Sequence, residues 1–132
     1  MEEAHLTEHP NIALLRKVYA RDRDTFFRMV TAEYVCHTPG SSPVAGHVVG
    51  AGGMRRHIEH GQMLSGGSFR VLHQGIFLAE DQWGLVPVRL SAERLGRKLD
   101  MQAFGVWRFE SGFIAEHWEN PIDVAAFDAF WS

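Results

Sequence analysis

Gly105-Val106-Trp107-Arg108-Phe109-Glu110-Ser111-Gly112-Phe113-Ile114-Ala115-Glu116-His117-Trp118-Glu119 reads as two strands meeting at a turn. Ser111-Gly112 supplies the turn, and the flanking runs are rich in the aromatic and β-branched residues that suit a pleated surface. Outward from this stretch the period of two continues toward the N-terminus. It predicts four strands over 69–78, 83–92, 99–109 and 113–120, with turn chemistry at Glu80-Asp81, Gly96 and Ser111-Gly112. Strands joined by turns this short form an antiparallel meander.

Before residue 69 the period is helical. Pro10, Ile12, Leu15 and Tyr19 predict a helix over 10–21, and Phe26, Phe27 and Val30 a second over 22–30. Tyr34-Val35-Cys36-His37-Thr38 reads as a short strand stopped by Pro39-Gly40, after which Ser41, Ser42, Pro43 and Gly46 extend an irregular stretch. Met54 and Ile58 mark a third helix over 50–62, ended by Ser65-Gly66-Gly67-Ser68. Asn120-Pro121-Ile122-Asp123 reads as an N-cap, a proline at N1 and an acidic N3, opening a last helix that carries Ile122, Ala126, Phe127 and Phe130 on one face. Helices on one face of a bent antiparallel sheet follow, with the first and third closing the concave side. The expected fold class is α+β: a cone-shaped curved antiparallel sheet wrapped around helices with an internal apolar pocket, in one domain over 1–132.

Composition narrows the functions open to such a domain. The chain has 132 residues, 45% hydrophobic and 22% charged, enough for a true core. Its formal charge is -3, and its 13 Lys and Arg form no long basic stripe, so nucleic acid is not an expected partner. No apolar run reaches the roughly 18 residues of a membrane helix, and the start, Met1-Glu2-Glu3-Ala4-His5, is acidic where a signal peptide is basic. No membrane association and a cytoplasmic location are expected. Cys36 is the only cysteine, which excludes an intrachain disulfide, and a buried structural thiol is its expected fate.

The order of elements, with particular residues in place, resembles the nuclear transport factor 2-like superfamily, especially its SnoaL-like polyketide cyclase and limonene epoxide hydrolase branches. The stretch 105–119 is similar to that family's paired final strands, ending in a Glu-His-Trp-acid sequence. Val35-Cys36-His37-Thr38-Pro39 resembles its early pocket strand. The resemblance covers nearly the whole chain. It implies a sheet wrapped around a ligand pocket, commonly in a homodimer, serving isomerases, dehydratases, cyclases, hydrolases and non-enzymatic binders alike, so the fold alone does not name the reaction.

Alternation along the last strand places Ala115, His117 and Glu119 on one face, and Ile114, Glu116 and Trp118 on the other. In the epoxide hydrolases a catalytic aspartate lies five positions after the residue matched by Ile114; by that resemblance Glu119 is the candidate base, with His117 lining the pocket beside it. A carboxylate at the rim of an apolar cavity gains a raised pKa, which suits proton transfer near neutral pH. The bland alternative is an exposed strand-end charge. His37 is the candidate proton donor from the other end of the pocket, against a core histidine bonded to backbone. Arg89 lies on a middle strand, as does the arginine that orients the epoxide hydrolase acids, against a plain outward-facing arginine. Trp107 and Gly105 share a face and suggest a flat apolar wall; with Arg89, Met101 and Tyr34 they complete the candidate substrate-binding set.

Departures from the family narrow the reaction. At the position of ketosteroid isomerase's protonated aspartate this chain has Gly105, and His37-Thr38-Pro39 lacks that enzyme's basic carboxylate. The second acid of the epoxide hydrolase relay falls at Ser91. His117, Glu119 and His37 could also supply a two-histidine, one-carboxylate metal set, but no metal is expected. His57 and His60, beside Arg55, Arg56 and Glu59, read as a solvated helix face. Gly50-Ala51-Gly52-Gly53 lacks the preceding strand and the lysine of a phosphate loop. The leading expectation is cofactor-free acid-base chemistry on a small hydrophobic oxygenated molecule: an aldol-type cyclisation, a lyase or an isomerase step. The rivals are epoxide hydrolysis and a silent domain that only binds such a ligand.

Overall fold

A computed structural model describes residues 8–132; the acidic start at Met1–His5 lies outside them. The elements are α1 (Pro10–Tyr19), α2 (Arg23–Met29), β1 (Val30–Thr38), β2 (Gly46–Val49), α3 (Gly50–Leu64), β3 (Arg70–His73), β4 (Leu78–Ala79), β5 (Trp83–Arg94), β6 (Arg97–Glu110), β7 (Phe113–Pro121) and α4 (Val124–Trp131). One curved, unclosed sheet runs β2-β1-β7-β6-β5-β3, with β4 also on β5. Every pairing is antiparallel except β1 with β7. The fold is α+β, as the periodicity predicts.

Local chemistry explains most boundaries. The two long hairpins turn at Leu95-Gly96 and Ser111-Gly112, each with both residues at positive φ, the two-residue geometry that matches strand twist. The His9 ring accepts from Asn11 N–H at 3.0 Å and Pro10 stands in the first turn of α1. Asn11, buried, donates to the carbonyls of Glu80 and Asp81 and fastens α1 to the β4–β5 turn.

Besides shifts of a few residues at several ends, among them β1 opening at Val30 rather than Tyr34, three elements differ from the sequence reading. The strand expected over 69–78 is broken into β3 and β4 around Gly75, which has φ +81°. Asn120 does not cap the last helix, because Pro121 stays in β7 opposite Ala103 and Ile122 N–H continues the ladder to Gln102 O. The cap is Asp123, whose carboxylate accepts from Ala126 N–H at 3.0 Å. The stretch after Pro43 holds a strand, β2, that pairs with β1 from Val35 to Thr38.

The inner face of the sheet carries Val86, Val88 and Leu90 from β5, Ala103, Trp107 and Phe109 from β6, and Tyr34 and Cys36 from β1, all buried. Between Arg108 and Phe109 the β6–β7 register shifts, so Ile114 and Ala115 are both buried before the alternation resumes at His117. That irregularity aims His117 and Glu119 inward.

Candidate active site

A cavity of about 360 Å³ lies between the inner face of the sheet and the helices. Val18 and Tyr19 of α1, Phe26 of α2, Met54 and Ile58 of α3, and Phe127 and Trp131 of α4 meet Val88 and Trp107 of the sheet around it. All four helices contribute, where the sequence reading assigned the closure to the first and third. Its walls are mostly apolar; Glu119, His117 and Tyr19 gather around Gly105 at one end, and Arg21, Arg23 and Arg70 also line it.

Glu119 is the centre of that end. It sits opposite Gly105 in the β6–β7 register and lines the cavity. Burial alone acts on its carboxylate, and raises its pKa to about 7. Among the described residues no cation offsets that penalty, and a desolvated carboxylate without a partner favours its protonated form. His117, one register step away opposite Trp107, lies flat on the indole at 3.7 Å between centroids and 8° between planes. Its Nδ1 is 3.6 Å from Cys36 Sγ, and its Nε2 is buried without a partner among the described residues. Burial, then the charges of His57 and His37, press its pKa to about 3, so the ring is neutral at ordinary pH. Burial pushes the Cys36 thiol up to about 12, so the thiol keeps its proton and can donate it to Nδ1. The tautomer carrying hydrogen on Nε2 fits that bond.

Tyr19 completes the group. Trp107 Nε1–H donates to the Tyr19 hydroxyl oxygen at 3.1 Å, which leaves the phenol hydrogen uncommitted. Burial and then the nearby Glu119 charge push its pKa well up, so it serves as a donor. Gly105 makes this possible: a Cβ there would overlap the Tyr19 hydroxyl and stand 3.1 Å from Trp107 Nε1 and 3.5 Å from His117 Nε2.

The other sequence candidates fall elsewhere. His37 is opposite Trp118, not His117, in the parallel β1–β7 pairing, so it lies on the outer face of the sheet. There its Nε2 meets Glu116 Oε2 at 2.5 Å, its Nδ1 meets His47, and its ring stacks on Trp118. It does not face Glu119 across the cavity. Arg89 is exposed and pairs with Asp100 at 2.7 Å, on the same outer face. Tyr34 is core, its hydroxyl 3.7 Å from Met54 Sδ, and Met101 is packed against the core without lining the cavity. The two-histidine, one-carboxylate set therefore does not converge; among the described residues no three His, Cys, Asp or Glu are placed to share an ion. His57, expected on a solvated face, is half-buried and lines the cavity, where burial lowers its pKa. Tyr19 escapes the sequence reading because its place in the α1 stripe reads as ordinary core. Its one signal is an aromatic with a polar tip at the end of an apolar face.

No helix among the described residues is long and apolar enough to cross a membrane. A search of curated protein sequences gives no significant match. Among solved structures, Bal32a from a soil-derived mobile gene cassette superposes with a TM-score of 0.86 at 27% identity, over 93% of this chain and 97% of that one. A nuclear transport factor 2-like protein of unknown function from Burkholderia pseudomallei K96243 gives 0.80 at 17%, over 95% and 99%. A protein from Jannaschia sp. CCS1 described as a SnoaL-like polyketide cyclase gives 0.70 at 15%, over 100% and 98%. The last two likenesses establish the shared fold. Residues 13–117 match the profile of the SnoaL-like domain, and the chain belongs to that family.

Proposed function

We propose that the protein is a cofactor-free enzyme that moves a proton on a small hydrophobic carbonyl compound, in an aldol-type cyclisation, a lyase step or an isomerisation. One observation carries this reading: Glu119 is a carboxylate without a partner among the described residues, set in the lining of a mostly apolar cavity, with a pKa of about 7. A base tuned to the working pH is the arrangement that proton abstraction from carbon requires. Glu119 takes the proton next to the substrate carbonyl, and the electron pair moves onto the carbonyl oxygen. Tyr19 O–H and His117 Nε2–H are the donors for that oxygen, and donors fixed in an apolar cavity act strongly. The enolate then attacks a second carbonyl, expels a leaving group or is reprotonated, and Glu119 returns its proton. Trp107, which lines the cavity, is its aromatic wall for a ring.

The test is exchange of the acidic hydrogens of 2-tetralone for deuterium in D2O, followed by proton NMR. Wild type should exceed buffer, and Glu119→Gln should fall to the buffer rate while binding the ketone within about tenfold of wild type, since the amide keeps the shape but takes no proton. Wild type no faster than Glu119→Gln overturns the reading and leaves a binding domain.

We also infer a homodimer through the outer face of the sheet. Trp83 and Phe113 are 47% and 43% exposed there, and Trp118 leans on Trp83 at 5.8 Å. An apolar patch rimmed by the charged Arg108, Glu110 and Glu116 is the composition of a subunit contact.

A further inference from the structure

Three arginines stand at the rim of the cavity: Arg21 and Arg23 in and after the turn joining α1 to α2, and Arg70 at the start of β3. All three are exposed, and among the described residues none is paired with a carboxylate; the arginine ion pairs are those of Arg16, Arg89 and Arg108. Arg70 commits one nitrogen to the carbonyls of Gly67 and Phe69 and keeps the rest of its guanidinium free. Arg21 and Arg23 are near enough to repel: after burial, the Arg21 charge is what lowers the Arg23 pKa. Asp22, between them in sequence, does not relieve this. Its carboxylate is taken by Thr25 N–H at 3.1 Å and Thr25 O–H at 2.7 Å, as the cap of α2.

The backbone gives an independent observation. At the end of α1, Arg21 N–H bonds Val18 O and Asp22 N–H bonds Lys17 O, with Arg21 at φ +66°. At the end of α3, Gly66 N–H bonds Met63 O and Gly67 N–H bonds Gln62 O, with Gly66 at φ +61°. These are the same Schellman closure, whose left-handed position favours glycine. The chain places glycine there in α3 and arginine in α1, at the cavity rim. A side chain kept where the backbone disfavours it, at the edge of a site, points to a use for that side chain.

We propose that the site selects an anionic amphiphile, a compound with an aromatic or alicyclic body inside the cavity and a carboxylate at the rim held by Arg21 and Arg23, with Arg70 beside them. This rests on the reading of the cavity as the substrate site, and names the substrate class. Guanidinium forks suit a carboxylate, and a rim open to water keeps the cost of desolvating both low. The preference is local, because the whole chain carries a formal charge of -3 and so repels anions at a distance. The two ends of the site are also electrically separate. Only burial shifts Glu119, with no arginine lowering it, so the rim binds the anion without ionising the base. The substrate therefore presents its carboxylate at one end and its acidic C–H at the other.

Titration calorimetry with 2-naphthoate and 2-naphthamide, two probes of the same shape, isolates the charge. Wild type should bind naphthoate roughly tenfold or more tightly than the amide at low salt, and less so as salt rises. The double variant Arg21→Gln, Arg23→Gln should bind the two alike, with amide affinity within about twofold of wild type. Arg21→Gly should raise the melting temperature while weakening naphthoate, a pair of opposite signs that a merely structural arginine does not produce. Equal affinities in wild type, or a preference that survives in the double variant, overturn the anion selection and leave the cavity as a site for neutral ligands. Failure of both probes to bind up to millimolar concentration removes the cavity reading itself, and the inference with it.

Discussion

Gly105 holds the polar end of the cavity together by having no side chain. The Tyr19 hydroxyl, the Trp107 indole nitrogen and the His117 ring all converge on the space a methyl group would fill. Gly105→Ala should therefore displace Tyr19, break its 3.1 Å bond to Trp107 and cost about 1–3 kcal/mol, the usual range for an extra methylene in a packed site. Urea denaturation measures that loss. Adding Tyr19→Phe should restore stability but not deuterium exchange, because the clash is relieved and the donor is gone. Strand alternation makes the face shared by His117 and Glu119 legible in the sequence, and likewise that shared by Gly105 and Trp107, but not that the two pairs meet: a regular hairpin sets Trp107 opposite Glu116, and the register shift after Arg108 brings His117 there instead. His37 and Arg89 are not legible in the same way. Whether His37 sits opposite His117 or Trp118 depends on the register of a parallel pair formed by segments some 80 positions apart, and no local pattern encodes that. Tyr19, His57 and Arg21 come from helices, and their approach to Glu119 or the rim is decided by how those helices pack.

Among the elements, α4 closes the far side of the cavity with Phe127 and Trp131, and its position depends on Asp128. That carboxylate accepts from Ser41 N–H at 3.0 Å and Ser42 N–H at 3.2 Å, holding the loop between β1 and β2 against the helix. Asp128→Ala hands those donors to water, and a loss of about 1 kcal/mol in urea denaturation, the net worth of such bonds, is expected. Asp123→Ala should cost about 1 kcal/mol through its cap. Sequence pattern puts that cap at Asn120 because Asn-Pro before an apolar run is a helix-start signal. It is also what the end of a strand looks like, since a residue before proline prefers extended backbone. Pairing with Ala103, a tertiary contact, decides in favour of the strand. The hairpins of β5, β6 and β7 are readable because their turns and alternation agree. β2 is not, because a glycine-bearing run of four residues carries too little pattern to be separated from a loop.

The whole molecule registers the cavity through its pH dependence. The folded-state pKa of Glu119, about 7, lies above the ordinary carboxylate value of 4.5. The unfolded chain therefore releases this proton first as pH rises, and stability is lost across the window from about 4.5 to 7, by up to about 3 kcal/mol. His117 acts with the opposite dependence: its folded pKa of about 3 lies below the unfolded 6.5, so stability is lost as pH falls from 6.5 toward 3. In wild type the two trends offset each other between about 4.5 and 6.5, and hide the cost of the carboxylate. Glu119→Gln removes only one of them. Urea denaturation of wild type and variant at pH 4.5, 6 and 8 should show the variant gaining on wild type as pH rises, with the gain levelling off above pH 7. His117 is common to both proteins and cancels in the difference. A difference that stays flat across this range means that the carboxylate is solvated in the folded state, and Glu119 then has no elevated pKa with which to act as a base.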